Sequence, residues 1–378
     1  METQNKPLYA IIIEYIQRQI EEGQFVPHEQ IPTEMELAQQ FGVSRITTKR
    51  ALVELERSGY IYRKRGSGSY VRERQDSSEV QDRESKEMIP AKNIISIVLP
   101  YMVENGHVGY IKGISDYLEA TGYYLSLHST DWNPEREREL LNRLPKHGFV
   151  GIILYPVSTI YNQDIIHMHH LNGYPLVAID QFYDGVPVPS VVSDNRNGSY
   201  MAARHLIEQG HRRVAYVSSI GIQYRNSVRD RYFGYFQALK DFGLPLDSEL
   251  VVTDFYRELT SENTHAYYEE VARSLMTKGV TAIMMEHDQL ALDMMAACYM
   301  AGIKVPEQLS IIGFDDIELA QHGEPPLTTI AQDFYEVGKY AAELMVAAIE
   351  KRSDLLERPM PLIVPVEMKM RQSTSAVD

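Results

Sequence analysis

From residue 93 onward, short apolar runs alternate with amphipathic segments, and this alternation restricts the fold more than any other feature of the 378-residue chain. The apolar runs lie at Ile94–Leu99, 124–128, 150–155, Leu176–Ile179, 213–217, 250–253, Ala282–Met285 and 309–313. The amphipathic segments lie at 111–121, 136–144, 198–209, 231–242, 266–278, 289–301 and 334–351. Such alternation is typical of βαβ units, and buried parallel strands read as continuous apolar runs. We therefore predict an α/β domain with parallel sheets over residues 93–375.

The first 73 residues differ from this pattern and begin with two short helices. Residues 8–22 carry apolar side chains at helical spacing. Thr33 and Glu36 have the spacing of a capping box at the start of a second helix. Gly42 is predicted to end that helix, because glycine adopts positive φ without steric cost.

A third helix follows Ser44, which is placed to cap it. Its core face is predicted from the i, i+4, i+7 spacing of Thr48, Leu52 and Leu55. Its outer face then carries Arg45, Ile46, Lys49 and Arg50. A helix, a glycine turn and a second helix with a basic outer face form a helix-turn-helix, whose second helix can enter the major groove of DNA.

Residues 60–71 alternate around a Gly-Ser-Gly tip, which predicts a β-hairpin beside the helices. Residues 43–72 hold eight basic and two acidic side chains, a net charge of +6 within a chain of net charge −15. A basic helix face on its own is more often simply exposed to solvent than used to bind DNA. The basic hairpin beside the helix-turn-helix favours a winged helix that binds DNA, because the distribution of charge decides such binding rather than the total. A nucleotide-binding loop at Gly66 is disfavoured, because no βαβ unit surrounds it.

Residues 74–92 are polar and charged and have few large apolar side chains, so they predict a linker. We divide the chain into a DNA-binding domain at 1–73, this linker, and a ligand-binding domain at 93–375. The flexible linker predicts that the spacing of DNA half-sites is loosely constrained.

Other classes of protein are disfavoured by what the sequence does not contain. There is no signal-peptide pattern and no apolar run of membrane-spanning length, so we expect a cytoplasmic protein. The single cysteine, Cys298, lies in an apolar stretch and reads as a core residue. The histidines at 167, 169 and 170 have no accompanying carboxylate cluster, so we predict no metal site. No catalytic motif is visible, and we expect neither an enzyme nor a cofactor.

Three N-terminal motifs carry a resemblance to a known family. They are Pro32-Thr33-Glu34-x-Glu36-Leu37-Ala38, Phe41-Gly42-Val43-Ser44-Arg45-x-Thr47 and Gly66-x-Gly68-x-Tyr70-Val71. This segment resembles the GntR-type winged helix, which implies DNA contacts from Arg45, Thr47, Lys49 and the wing tip. The predicted DNA-binding residues are Thr33, Arg45, Ile46, Thr47, Lys49, Arg50, Arg65 and Gly66. Met35, Thr48 and Lys49 depart from residues common in that family, which leaves the operator sequence open.

The C-terminal region resembles the LacI/GalR-type sensor, which is similar to periplasmic sugar-binding proteins. The resemblance rests on Ala203-Arg204-His205-Leu206-Ile207, Gly210-His211-Arg212, Arg231-x-x-Gly234-Tyr235-x-x-Ala238-Leu239, Asp288-Gln289-x-Ala291-Leu292, residues 305–316, Pro326-Leu327-Thr328-Thr329-Ile330 and Gln332-Asp333-Phe334. It implies two lobes between which the chain crosses three times. We place lobe 1 at about 93–191 and 333–355, and lobe 2 at about 192–332 and 356–370.

The resemblance also implies where an effector binds, in the cleft outside the carboxyl ends of the strands. The implied residues are Asp180, Arg231, His287 and Asp315. Tyr101, His128 and Tyr155 come at the ends of lobe 1 strands and are added as wall residues, and Phe255 or Tyr256 as a cover. Carboxylates and arginine suit sugar hydroxyls, and aromatic rings suit the apolar faces of a sugar. His287 stands where relatives usually have asparagine, which leaves open whether it changes the choice of ligand or has lost the role.

Together these features predict a homodimeric transcription repressor that binds palindromic operator DNA and is released by a small-molecule effector, a monosaccharide in our first hypothesis. A nucleoside or another non-sugar metabolite is the alternative effector. The sign of regulation stays open, because repressors and activators share these domains.

Overall fold

The structure is a computed structural model that describes residues 8–57, 60–64, 68–71, 93–101, 106–260, 262–356 and 360–377. It divides into two compact units, Met1–Ile89 and Pro90–Asp378. The predicted linker at 74–92 lies outside the described residues, as do Arg65 and Gly66. The predicted fold class is confirmed in both units.

Among its described residues, the N-terminal unit contains three helices and a two-stranded antiparallel hairpin. Its elements are α1 (Leu8–Glu21), α2 (Glu34–Phe41), α3 (Arg45–Arg57), β1 (Ile61–Lys64) and β2 (Gly68–Val71). Ile12, Ile16, Leu37, Leu52 and Leu55 form a core that is fully or almost fully buried. The helical spacing seen in the sequence therefore identifies the buried faces.

Local signals place the boundaries of α2. The Thr33 hydroxyl accepts a hydrogen bond from the Glu36 N–H, and the Glu36 carboxylate accepts one from the Thr33 N–H at 2.8 Å. These bonds satisfy donors that a helix start leaves unpaired. The hydrogen bonds that the Thr33 N–H and hydroxyl donate to the Glu36 carboxylate lower the pKa of Glu36. Gly42 ends the helix with a φ of +64°, as its sequence position predicts.

The C-terminal unit, as far as the structure describes it, contains two six-stranded sheets. The strands are β3 (Ile94–Leu99), β4 (Tyr124–Ser129), β5 (Gly151–Leu154), β6 (Leu176–Ile179), β7 (Ser190–Ser193), β8 (Val214–Ser218), β9 (Val251–Thr253), β10 (Ala282–Met285), β11 (Ser310–Asp315), β12 (Thr328–Ala331), β13 (Leu362–Val364) and β14 (Glu367–Lys369). The helices are α4 (His107–Leu118), α5 (Pro134–Lys146), α6 (Gln163–Leu171), α7 (Asn195–Glu208), α8 (Asn226–Asp241), α9 (Thr264–Thr277), α10 (Asp288–Met300), α11 (Glu318–His322), α12 (Phe334–Ile349) and α13 (Ser353–Leu356).

Each sheet forms one lobe. Lobe 1 has the strand order β13-β7-β6-β5-β3-β4, and lobe 2 has β14-β12-β11-β10-β8-β9. All described pairings in these sheets are parallel except that of β12 with β14. The chain crosses between the lobes after β7, after β12 and after β13, which gives the three predicted crossings.

One predicted lobe boundary was wrong. We assigned residues 356–370 to lobe 2, but β13 pairs with β7 through Leu362 and Val191 and so belongs to lobe 1. Only β14 joins the lobe 2 sheet. The sequence analysis did not predict β7, β12, β13 and β14. β7, β12 and β14 contain polar or charged residues and do not read as apolar runs, and the three-residue apolar run of β13 was overlooked.

One pair of helices in each lobe packs so closely that a glycine is required at the contact. A Cβ atom at Gly234 of α8 would lie 2.1 Å from the Arg196 carbonyl oxygen of α7. A Cβ atom at Gly338 of α12 would lie 2.3 Å from the Tyr110 carbonyl oxygen of α4. Both helix pairs therefore require glycine to approach this closely. In the described part of the chain, no helix is long and apolar enough to cross a membrane.

Candidate effector cavity and DNA-binding face

A cavity of about 830 Å³ lies in the C-terminal unit between the two lobes. Its walls come mainly from residues at or just after the carboxyl ends of parallel strands. Asp180 follows β6, Glu286 and His287 follow β10, and Asp315 ends β11. Strand ends of two sheets meet here, as expected for a ligand cleft in open α/β sheets.

Arg231 of α8 is the central cation of the cavity and is only 7% exposed. Its Nε donates to the Asn195 side-chain oxygen at 2.8 Å, and its Nη2 lies 3.4 Å from the Asp315 carboxylate. Its Nη1 donates to the Glu286 carbonyl oxygen. The guanidinium also lies over the Phe314 ring, 3.8 Å from the ring centroid. The protein thus fixes the orientation of this group by contacts from three separate segments.

Two aspartates with left-handed backbone conformation face this arginine. Asp180 has a φ of +64°, and its carboxylate accepts from the hydroxyls of Tyr110 and Ser227 at 3.4 Å each. Asp315 has a φ of +118° and accepts a 2.6 Å hydrogen bond from the Gln332 amide. Burial raises the pKa of Asp315, and the Arg231 charge opposes that rise. Strained backbone of this kind is common at ligand sites, where many surrounding contacts hold the residue in place.

Glu286 adds a third carboxylate, which is only 2% exposed. It accepts hydrogen bonds from the hydroxyls of Ser218 and Ser219, the second at 2.6 Å. His287 lies beside it, with Nε2 at 3.5 Å from the Glu286 carboxylate. The other ring nitrogen of His287 accepts from the Leu290 N–H at 3.2 Å, so this histidine also caps α10.

The lobe 1 wall is aromatic. Trp132, the single tryptophan of the chain, contacts Tyr101 and Tyr155 edge-on at centroid distances of 5.7 and 6.2 Å. From lobe 2, the Arg225 guanidinium lies 3.9 Å from the centroid of the Trp132 ring. The cavity therefore combines an aromatic wall, a carboxylate-rich floor and a cation–π contact that joins the two lobes.

The structure brings six of the seven predicted effector residues to this cavity. They are Tyr101, Tyr155, Asp180, Arg231, His287 and Asp315. His128 was misplaced, because it lies within edge strand β4 rather than beyond its end. Its ring packs near Phe149 and contacts the Ser126 hydroxyl at 3.2 Å, away from the cavity. Of the two suggested covers, Tyr256 lines the cavity, whereas Phe255 is buried in the lobe 2 core.

Sequence reasoning missed several lining residues, among them Trp132, Glu286, Arg225, Tyr110 and Gln332. A usable signal existed for two of them. Trp132 and Glu286 follow the ends of β4 and β10, where cleft residues are expected. Arg225 lies on the connection between β8 and α8, and Gln332 follows β12, a strand that the sequence analysis did not predict. Their positions therefore became clear only from the tertiary structure.

The N-terminal unit presents a basic face on α3. Arg45, Lys49 and Arg50 are exposed, Thr47 is partly exposed, and Thr33 is exposed at the start of α2. Opposite this face, the buried Thr48 hydroxyl lies 3.0 Å from the carbonyl oxygens of both Glu34 and Arg45. Thr48 differs from the residue common in the resembled family, and its hydroxyl is hydrogen-bonded and connects α3 to α2.

The basic side chains of this unit are not equivalent. The Arg50 guanidinium lies 4.1 Å from the centroid of the Tyr9 ring on α1. Arg63 of the hairpin is paired with Glu34 and Glu56 at 3.7 and 3.6 Å, so its charge is partly neutralised within the protein. Of the other predicted DNA contacts, the Ile46 side chain, Arg65 and Gly66 lie outside the described residues.

The geometry of the two units agrees with the families that the chain matches. Residues 8–71 match the bacterial regulatory proteins of the gntR family, and residues 203–374 match the periplasmic binding protein-like domain. Together they define a bacterial transcription regulator with a helix-turn-helix unit and a sensor unit.

Relatives over the whole length define the family further. An arabinose metabolism transcriptional repressor of Geobacillus stearothermophilus is 31% identical over 391 aligned positions that cover 100% of both chains. Another, from Halalkalibacterium halodurans, is 29% identical over 97% of this chain and 96% of its own length. The chain belongs to the family of the arabinose metabolism transcriptional repressors, and these relatives are transcription regulators.

Solved structures share the fold of the sensor unit. The transcription regulator CcpA of Lactococcus lactis has a TM-score of 0.67 and 23% identity, over 75% of this chain and 100% of its own. A LacI family transcriptional regulator from Enterococcus faecium, with bound ribose, has a TM-score of 0.63 and 24% identity over 76% and 100%. At this identity, the likeness concerns the fold alone.

Proposed function

We propose that this protein represses a carbohydrate-utilisation operon and is released from its operator when a monosaccharide, L-arabinose in the first instance, binds the cavity between the lobes. A homodimer would place two α3 helices on the half-sites of a palindromic operator. The protein would act in the cytoplasm, together with its DNA. The names of the full-length relatives support arabinose as the first sugar to test.

The observation that carries the proposal is the pairing pattern around Arg231. The Arg231 guanidinium is already hydrogen-bonded to Asn195 and the Glu286 carbonyl and paired with Asp315. The cavity also has three carboxylates, those of Asp180, Glu286 and Asp315. Carboxylates accept hydrogen bonds, so they favour a ligand rich in hydroxyl donors. They repel a phosphorylated or carboxylated ligand. The aromatic wall complements the apolar faces of a sugar ring.

A nucleoside is the second candidate, because the aromatic wall that packs against a sugar can also stack on a base. Trp132 is the single tryptophan of the chain, so its emission reports binding in the cavity without a label. We would titrate the purified protein with L-arabinose, D-ribose, a sugar phosphate and cytidine, and follow operator release by fluorescence anisotropy. The proposal predicts that L-arabinose changes both signals and that the sugar phosphate changes neither. A response to cytidine alone would establish the alternative.

The dimer and its operator can be tested with the same DNA assay. A series of duplexes with two identical half-sites at different spacings measures how rigidly the two N-terminal units are held. The predicted linker at 74–92 implies nearly equal affinity over several spacings. A steep optimum at one spacing would contradict the flexible linker, and a stoichiometry of one chain per duplex would contradict the dimer.

A further inference from the structure

A buried glutamate behind the cavity is not explained by the site described so far. Glu137 of α5 has no exposed surface and does not line the cavity. Its carboxylate accepts a 2.7 Å hydrogen bond from the Val157 N–H and a 2.8 Å hydrogen bond from the Asn162 side-chain amide. These two partners lie near opposite ends of residues 155–162, which connect β5 to α6 and which we name the 155–162 loop.

The 155–162 loop is part of the cavity. Tyr155, Val157, Ser158 and Tyr161 all line it. The loop also contacts lobe 2, because the Ser158 hydroxyl donates to the Tyr224 carbonyl oxygen at 2.8 Å. Tyr224 directly precedes Arg225, whose guanidinium stacks on Trp132. The loop therefore lies between Glu137 and the contacts that hold lobe 2 against the aromatic wall.

We propose that Glu137 is a positioning residue of the effector site, and that it holds the 155–162 loop in the conformation that lines the cavity and contacts lobe 2. Asn162 has a left-handed φ of +58° just before α6, and the hydrogen bond from its side-chain amide to Glu137 ties this turn to α5. Its amide also donates to the Pro134 carbonyl oxygen at 2.9 Å. The carboxylate accepts from the two loop donors through different oxygens, and a glutamine at this position would keep only one acceptor oxygen.

The proposal predicts a dependence of effector affinity on pH. Burial raises the pKa of Glu137 to about 7, while its two hydrogen bonds oppose the rise. The titratable group that faces it is Tyr183, which follows β6 and whose own pKa is raised by burial and by Glu137. On its own helix, Arg138 pairs with Asp164 at 2.6 Å. When the pH falls through 7, Glu137 gains a proton, loses acceptor capacity and releases part of the loop.

The test compares Glu137→Gln with Glu139→Gln in the full chain. Glu139 lies on the same helix, is exposed and pairs with Arg143 at 3.0 Å, so it controls for loss of one charge. With L-arabinose as the probe and Trp132 emission as the signal, we expect the wild type and Glu139→Gln to lose about tenfold in affinity from pH 8 to pH 6. We expect Glu137→Gln to bind weakly at both pH values, with a flat profile. A Glu137→Gln profile that matches the wild type would overturn the proposal.

A second measurement separates this inference from the proposed function, on which its affinity arm rests. Hydrogen exchange of the peptide that covers 155–162 needs no ligand. At pH 8, we expect about tenfold faster exchange in Glu137→Gln than in the wild type or Glu139→Gln. If L-arabinose gives no signal with the wild type, the proposed effector fails, and the exchange rates still decide the role of Glu137. Equal exchange in all three proteins would refute it.

Discussion

The two units place their charged groups in opposite ways. On α3, Arg45 and Lys49 point into solvent, and within the described residues neither forms an ion pair. In the cavity, Arg231 is buried and held by Asn195, Asp315 and the Glu286 carbonyl. A surface cation stays available for a phosphate or a base, whereas a buried one contributes mainly by fixing its neighbours. Substitutions should therefore act on binding alone in the first unit, and on binding and stability together in the second.

The largest effect is expected from Arg231→Ala. The change leaves the partly buried Asp315 carboxylate without its cation and the Asn195 side-chain oxygen without its donor, which costs up to about 3 kcal/mol. We expect at least a hundredfold loss of effector affinity and a lower melting temperature. Titration of Trp132 emission and thermal denaturation measure both, while operator binding without effector should persist.

Two further variants make the Arg231 result decisive. Arg229→Ala removes a neighbouring arginine that pairs with Asp184 at 2.9 Å near the surface, so it should change affinity little. Arg231→Lys keeps the charge and should retain the fold if the alanine variant does not. An Arg231→Lys protein that responds to effector like the wild type would show that the guanidinium geometry is not needed.

The pH dependence of stability should come mainly from the sensor unit. The folded chain binds the Glu137 proton more tightly than the unfolded chain, since its pKa rises from 4.5 to about 7. Its contribution to the free energy of unfolding is thus greatest below pH 4.5 and falls as the pH rises to 7, by roughly 3 kcal/mol. Burial also raises the pKa of Asp288 and of Asp315, so their contributions to the free energy of unfolding fall with rising pH as well.

Glu137→Gln should remove the Glu137 part of this dependence. We expect the variant to melt higher than the wild type at pH 8 and by a smaller margin at pH 5, even though its 155–162 loop is looser. Calorimetry from pH 5 to pH 8 measures the difference. A wild-type melting temperature that rises through this range in parallel with the variant would contradict the assignment.

On the DNA-binding face, Arg45→Ala should weaken operator binding by about 1–3 kcal/mol and relax the preference at one base pair. Its stability should stay within about 0.5 kcal/mol of the wild type, because the side chain is exposed. Fluorescence anisotropy with duplexes selected by the wild-type protein measures the loss of operator affinity and the change in base preference. Arg18→Ala, on α1, is the matched control, since Arg18 is exposed and lies 3.9 Å from Glu22. Equal operator affinity in the two variants would remove Arg45 from the DNA contacts.

The smallest effect is expected for the contact between Arg225 and Trp132. Arg225→Ala should weaken effector binding by about 1 kcal/mol, the usual size of a cation–π contact that is partly exposed. It should also change Trp132 emission without effector. Arg257→Ala is the control, because Arg257 also lines the cavity but lies over Tyr256 at 5.6 Å. Identical emission from Arg225→Ala and the wild type would show that this contact does not form in solution.

The sequence by itself determined the parts of the protein that rest on local signals. The capping box of Thr33 and Glu36, the turn at Gly42, and the buried Thr48, Leu52 and Leu55 all follow from spacing over a few residues. The same holds for Tyr155, because a residue just after a buried parallel strand lies at the end of the sheet. Asp180 and His287 were instead implied by the family resemblance.

Only the tertiary structure decided what depends on residues far apart in the chain. His128 looked like a strand-end residue until the extent of β4 was known, and β13 joined lobe 1 through a pairing that no local pattern reveals. The contact of Arg225 with Trp132 and the bond of Glu137 to the Val157 N–H each join separate elements. Burial and pairing are properties of the packed molecule, so the chemistry of the cavity became visible only when both lobes were in place.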